Sequence, residues 1–278
     1  LLFDHWEGLN TMFYTLYNGG IVISVTNRKP DIVCKLIEKY KLELLPVSPT
    51  FLNFMIMSGA YKKYNLRSLK IISYGSEPMP KSVLLNLNRL FPNVKLLQTY
   101  GLIELGVLRS KSKSNDSLWI KIGGEGCEIR VVDSMLQIKT DSAMMGYLNA
   151  PSPFTKDGWF ITGDKVLQNG EYFKILGRES EIINVGGEKV YPAEVESVLL
   201  EINGVEDAIV YGEKNPITGE IVVANIKTDK KSITLIKNYC RKKLERYKVP
   251  VKINFTQEDL IGDRLKRVRR EKNVNSRI

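Results

Sequence analysis

Three short apolar runs, Gly20-Ile-Val-Ile-Ser-Val-Thr26, Leu42-Glu-Leu-Leu-Pro-Val47 and Leu69-Lys-Ile-Ile-Ser-Tyr74, alternate with amphipathic stretches of helical length. Runs of this size and composition suit strands buried on both faces, and the sequence between them can supply the crossover helices that parallel neighbours need. Residues 1–110 are therefore expected to form an α/β layer around a mostly parallel sheet. A polar Lys- and Ser-rich stretch, Lys111–Ser117, follows. Beyond it a β-rich unit is expected at 118–176, with short antiparallel strands at Trp119–Ile122, Cys127–Val132, Leu136–Thr140 and Glu171–Leu176, and turn residues such as Asn169-Gly170 between them.

A new alternation begins near Glu181: a Gly-Gly turn, a helix centred on Glu194–Leu200, a strand at Asp207–Tyr211, a turn at Asn215–Gly219, a strand at Ile221–Ile226 and a helix from Ser232 to Glu245. The expected fold class is α/β: the remainder of a large α/β subdomain plus a small β-rich subdomain over 1–179, followed by a separate, small, mobile α+β carboxyl-terminal domain over 180–278. A length of 278 residues with 43% hydrophobic content accommodates one large or two unequal domains.

Several classes of function are disfavoured by what the sequence lacks. No run of eighteen apolar residues is present, and the opening Leu1–Gly8 is broken by Asp4 and Glu7, so neither a membrane span nor a signal peptide is indicated and a cytoplasmic setting is the default. Cys34, Cys127 and Cys240 lie far apart, as reduced thiols rather than a disulfide frame or zinc site. His5 is the single histidine, which removes most histidine-based metal sites.

The net charge of +10 is concentrated at one end. From Lys230 onward there are 16 Lys or Arg against 5 Asp or Glu, a balance of +11, leaving about −1 for the first 229 residues. A solvated face, phosphate-rich ligands, an acidic carrier protein and nucleic acid all fit such charge. Nucleic acid has the least support, because only Tyr239, Tyr247 and Phe255 interleave with the basic residues.

Three segments carry candidate chemistry. In Gly158-Trp-Phe-Ile-Thr-Gly-Asp164 a carboxylate follows a glycine at the end of an apolar segment, where an exposed Asp164 can accept hydrogen bonds from vicinal ribose hydroxyls; a plain turn fits the same spacing. Gly177-Arg178 leads into Ile182-Ile-Asn-Val-Gly-Gly187-Glu-Lys-Val-Tyr-Pro192, in which Gly186 and Gly187 permit positive φ, Pro192 suits a first helical turn and Arg178 offers a planar fork of donors; a simple hairpin with a surface arginine is the alternative. Thr99-Tyr-Gly-Leu-Ile-Glu104 follows the run Val94–Leu97 and is expected in a loop at the carboxyl end of a strand, where open α/β sheets bind ligands. Tyr100 there can cover a purine and Glu104 can hold Mg²⁺ beside phosphates.

Taken in order, Phe3-Asp-His-Trp-Glu-Gly8, Tyr74-Gly-Ser-Glu-Pro-Met-Pro80, Thr99–Glu104, Trp159–Asp164 and Gly177–Glu196 resemble the motifs of the adenylate-forming superfamily, which includes acyl-CoA synthetases, fatty acyl-AMP ligases, luciferases and peptide-synthetase adenylation domains. The resemblance implies ATP-dependent activation of a small carboxylic acid to an acyl adenylate, then transfer to a thiol, with ATP or AMP and Mg²⁺ bound and either coenzyme A or the phosphopantetheine arm of an acyl carrier protein as acceptor. It implies that Gly75, Ser76, Glu77 and Pro78 line the adenine, that Tyr100, between Thr99 and Gly101, stacks on it, and that Asp164 and Arg178 bind the ribose. Glu104 would hold Mg²⁺, Ser180 would mark a hinge, Gly186 and Gly187 would face the pantetheine passage, and His5 would lie beside the acid's carboxylate. Ser48, Phe51, Tyr74 and Thr99 are expected around an aliphatic or aryl acyl group.

The resemblance has three departures. The family's phosphate loop ending in Pro-Lys-Gly stands upstream of the segment that opens here at Leu1, so docking to an amino-terminal half is expected. Ile103 replaces a threonine hydroxyl expected to meet the α-phosphate. The late lysine of a Gly-Lys-x-x-Arg motif aligns with Arg264 or Asp263, leaving Arg264 and Lys266 as the catalytic cations to consider. A non-catalytic descendant that keeps a nucleotide- or partner-binding surface is the competing reading.

Overall fold

The computed structural model describes Phe3, residues 6–258 and Leu260. The chain divides into two compact units, Leu1–Leu176 and Gly177–Ile278. The first opens with helices α1 (Trp6–Tyr17) and α2 (Pro30–Tyr40), then β1 (Leu44–Val47), α3 (Pro49–Met57), β2 (Ile71–Tyr74), α4 (Lys81–Leu90) and β3 (Lys95–Gln98). Pro30 occupies the first turn of α2, and Lys41 in a left-handed conformation closes it. The side chain of Ser48 accepts the Phe51 N–H to cap α3, and Pro49 takes the adjacent position.

Strands β1, β2 and β3 run parallel in that order, with Val47 beside Tyr74 and Tyr74 beside Gln98. Ile72 and Leu96 are fully buried in this sheet, as are Leu52 and Met55 of α3 and Leu84 and Leu87 of α4. The parallel α/β layer expected from the apolar runs is thus present, with one correction. Gly20–Thr26 is not a strand: the segment has no regular structure, and Ile21 is 83% exposed. A strand requires a neighbour for its N–H and C=O groups, and among the described residues β1 pairs only with β2.

After β3 the chain makes a small antiparallel hairpin, β4 (Tyr100–Leu102) with β5 (Gly106–Leu108). It then builds an antiparallel sheet from β6 (Ser110–Ser112), β7 (Ile120–Ile122), β8 (Cys127–Val132), β9 (Met135–Thr140), β10 (Phe160–Asn169) and β11 (Tyr172–Arg178), in the order β6-β7-β11-β10-β9-β8. Two of these strands were hidden in the sequence. β6 lies partly within the polar stretch assigned as a divider: it is an edge strand that needs no apolar alternation. β10 was obscured by the glycine at its middle. The core beneath the sheet contains Leu105, Ile120, Leu136, Ile138, Phe160, Val166 and Phe173.

The second unit has β12 (Ile183–Val185), β13 (Glu188–Val190), α5 (Pro192–Leu199), β14 (Val205–Asn215), β15 (Gly219–Thr228), α6 (Ile233–Lys243) and β16 (Lys252–Thr256). Its sheet runs β13-β12-β15-β14, with β16 parallel to β15. Pro192 starts α5, and Ser232 caps α6 by accepting the Leu235 N–H. Val195, Leu199, Val210, Ala224, Ile226, Ile236 and Cys240 fill the core. The α+β character expected here is present; β16 was missed because its alternation, with Ile253 in and Lys252 and Asn254 out, is embedded in the basic tail.

Candidate functional site

Parallel pairing ends β2 and β3 side by side, so the residues that follow them meet. Thr99 N–H donates to the Tyr74 carbonyl at 2.8 Å, and the Thr99 hydroxyl lies 3.1 Å from the same oxygen and 3.3 Å from Glu7 Oε1. Gly75 is buried beneath this contact, and a Cβ there would stand 2.4 Å from Thr99 Oγ1. Only a residue without a side chain fits so close an approach. The next residues leave the sheet differently. Ser76 is exposed with φ of 66°, whereas Glu77 Oε1 accepts the Thr50 N–H at 2.7 Å. The Glu77 carboxylate therefore sits at the amino-terminal turn of α3, where the helix dipole favours negative charge. Pro78 is half-buried and leads toward α4.

Thr99–Glu104 is a hairpin rather than the expected loop. Gly101 is needed within it, because a Cβ would meet the Gly106 carbonyl at 2.8 Å. Tyr100 is half-buried, with its N–H donating to Ser110 Oγ at 3.1 Å. Its hydroxyl donates to Asp164 Oδ2 at 2.6 Å.

Asp164 is the main correction at the site. It is neither exposed nor at a strand end: it is 6% exposed and lies within β10. Pairing of β10 with β9 is regular at Phe160 and Ile161 and resumes at Lys165 in a shifted register. In the irregular step between, Thr162 Oγ donates to the Leu136 carbonyl at 2.8 Å and accepts the Asp164 N–H at 3.0 Å, while Gly163 takes a φ of 75°. Such a bulge re-aims a side chain, and here it accompanies the turn of the carboxylate toward Tyr100.

Glu104 occupies the β4–β5 turn. Its Oε1 accepts the Tyr147 hydroxyl at 2.6 Å and its carbonyl accepts the Met144 N–H at 2.7 Å, tying the turn to the segment after β9. Glu7 lies in the Phe3–Gly8 motif without having been singled out there, and Tyr147 comes from a stretch with no local signature. Ile103 beside Glu104 is 70% exposed. Among the described residues no group of three His, Cys, Asp or Glu could hold a metal ion, so a cation at Glu104 would draw its other ligands from phosphate and water.

The remaining candidates belong to the second unit or lie outside the described residues. Arg178 is exposed at the end of β11. Gly186 and Gly187 form the two-residue turn of the β12–β13 hairpin, with φ of 61° and 94°, the signs a type I′ turn requires. No atom lies within 4 Å of a Cβ built at either position. His5, Arg264 and Lys266, with Asp263, fall outside the described residues.

A parallel sheet with glycine-cradled loops at its carboxyl edge, an attached β-rich unit and a small α+β unit together define the fold of an adenylate-forming enzyme. The chain belongs to the AMP-binding enzyme family: residues 3–148 match that family and residues 194–262 match the AMP-binding enzyme C-terminal domain. It is 32% identical to acyl-CoA synthetase 7 of Caenorhabditis elegans over 91% of this chain and 51% of that protein. It is 28% identical to a long-chain-fatty-acid–CoA ligase of Haemophilus influenzae over 93% of this chain and 50% of that one. The chain thus spans about half the length of the curated relatives it matches. Among solved structures, ATP-bound MatB of Rhodopseudomonas palustris superposes with a TM-score of 0.79 at 24% identity, over 95% of this chain and 56% of MatB. The o-succinylbenzoate CoA synthetase of Bacillus subtilis, in complex with its acyl-adenylate, gives 0.77 at 23% identity over 100% and 60%. These two likenesses concern the fold.

Proposed function

We propose that this chain is the carboxyl-terminal part of an ATP-dependent carboxylate-activating ligase that makes an acyl adenylate and passes the acyl group to a thiol. The observation that carries this reading is the Tyr100–Asp164 hydrogen bond. It joins the residue expected to stack on adenine to the one expected to hold the ribose, although they come from separate motifs. A carboxylate held in place by a phenol fits a vicinal diol.

In the reaction a carboxylate oxygen of the acid attacks the α-phosphorus of ATP and pyrophosphate leaves. A thiol sulfur then attacks the acyl carbon, its proton is lost and AMP leaves. The residues of this chain contribute orientation and charge. Ser76, Pro78, Tyr100, Asp164 and Arg178 would hold the nucleoside, Glu104 would hold Mg²⁺, and His5, Arg264 and Lys266 would act near the reacting carboxylate and phosphate. Mg²⁺ at that position supplies neutralisation of phosphate charge. The acceptor is coenzyme A or a carrier-protein phosphopantetheine, and the relatives include both fatty-acid and 4-coumarate ligases.

The reading assigns a partner surface to α1. Phe13, Tyr14, Leu16 and Tyr17 are 52–91% exposed there, an apolar face suited to docking an amino-terminal half that carries the phosphate loop. A cytoplasmic setting agrees with three free cysteines. Among the described residues no helix is long and apolar enough to cross a membrane.

Isothermal titration of the chain with AMP, and with ATP and Mg²⁺, beside Asp164→Ala tests the reading. Saturable binding that the substitution abolishes supports it; heats that are equal in both proteins, or absent, count against a nucleotide site built on Asp164.

A further inference from the structure

One short segment after β9 clasps the β4–β5 turn at three points. Ser142 Oγ donates to the Leu105 carbonyl at 2.8 Å, the Met144 N–H donates to the Glu104 carbonyl at 2.7 Å, and the Tyr147 hydroxyl donates to Glu104 Oε1 at 2.6 Å. Ala143 and Met144 anchor the segment, half-buried against the core of the antiparallel sheet. Two of the three bonds therefore fix the backbone of the turn, and the third fixes the carboxylate that the turn carries.

Packing alone does not account for the third bond. Met145 and Leu148 on either side are fully exposed, and Tyr147 itself is 43% exposed, so burial contributes little to where its ring stands. Gly146 takes a φ of 154°, a conformation that residues with side chains rarely adopt, and nothing lies within 4 Å of a Cβ built there. The path into Tyr147 is thus one that glycine takes without strain.

A phenol donating to a carboxylate at this distance makes a charge-assisted bond, among the stronger hydrogen bonds. It engages one carboxylate oxygen. Among the described residues Glu104 Oε2 takes no hydrogen bond and no ion pair. A carboxylate that ligates a cation is commonly held in this way, with one oxygen fixed by a neighbouring donor, and loss of that donor weakens metal binding about 10–100-fold.

We infer that Tyr147 is a positioning residue for Glu104: its hydroxyl holds Oε1 and leaves Oε2 to the Mg²⁺ that accompanies the nucleotide's phosphates. The inference rests on the ligase reading, which makes Glu104 the Mg²⁺ ligand, and adds a residue that acts through Glu104 alone.

The test is isothermal titration of the whole chain with AMP, with ATP in EDTA and with ATP in saturating Mg²⁺. The parent is compared with Tyr147→Phe, which keeps the ring and removes the donor, with Glu104→Ala and with the double variant. In Tyr147→Phe the affinities for AMP and for ATP in EDTA are expected to match the parent's, whereas affinity for ATP with Mg²⁺ falls roughly tenfold. In Glu104→Ala the same substitution is expected to add no further loss, because the two residues act as one unit. A purely structural role would instead lower all three affinities together. Parallel losses for all three ligands, an ATP affinity indifferent to Mg²⁺, no effect of Tyr147→Phe, or additive losses in the double variant would overturn the inference while AMP binding keeps the ligase reading in place. A parent chain that binds none of the three would overturn both.

Discussion

The phenol of Tyr100 and the carboxylate of Asp164 are 2.6 Å apart, although 64 residues separate them in the chain. Tyr100 comes from the small hairpin after the parallel sheet and Asp164 from a bulge in the antiparallel one, so the bond also ties two sheets of the first unit together. Tyr100→Phe keeps the ring and removes the donor. The loss of a hydrogen bond to a buried carboxylate is expected to cost about 1–3 kcal/mol, read from the urea midpoint. AMP affinity in the same protein should fall, because the carboxylate loses its orientation; unchanged stability and affinity would show the contact to be incidental.

Gly75→Ala places a methyl group 2.4 Å from Thr99 Oγ1 and 3.0 Å from the Thr99 carbonyl. Overpacking of this kind costs about 1–3 kcal/mol. Adding Thr99→Ala should recover part of the loss and not all of it, since the backbone oxygen stays. A double variant no more stable than Gly75→Ala would locate the clash elsewhere.

Burial pushes the thiols of Cys34 and Cys240 up from 9.0 to about 11. The folded chain then holds protons that the unfolded chain has released, so stability falls as pH rises from 9.0 to about 11 and levels off above. Half-buried Cys127 should react with iodoacetamide in the native protein well before the two buried thiols do. Mass spectrometry of partly alkylated protein resolves the order.

Burial alone would lower the Lys248 ammonium pKa, but hydrogen bonds to Glu245 and Glu194 outweigh it and leave the pKa raised above 10.5. A raised pKa contributes stability below the unfolded value of 10.5, and that contribution is lost as pH climbs through the folded value. Both carboxylates are well exposed, so Lys248→Met should cost only about 1 kcal/mol at neutral pH. The variant's thermal midpoint should also decline less steeply in alkali than the parent's.

Period and punctuation in the sequence were enough to foresee β1, β2 and β3, the α5–β14–β15–α6 succession and the Gly186-Gly187 hairpin, because each depends on local chemistry: paired apolar runs, a proline at a helix start, two residues able to take positive φ. β6 and β16 were not foreseen, since an edge strand and a strand inside a basic tail are defined by the neighbour they join. The site divides in the same way. Thr99-Tyr-Gly and Thr-Gly-Asp stand out as strings, yet the burial of Asp164 depends on the Thr162 hydroxyl finding a carbonyl on β9, 26 residues back. Glu77 likewise takes its place from α3, 27 residues earlier in the chain.

The register of β14 against β15 runs from Val205 to Asn215 and back from Gly219 to Thr228 across one short turn, whereas β1, β2 and β3 join only through intervening helices. Contacts close in sequence form quickly, and parallel pairings must first close long loops. The β14–β15 hairpin, made after the parallel sheet, is therefore the quicker of the two to reach its native pairing, while the parallel sheet spends longer with its strand edges unpaired and open to chaperones or to aggregation.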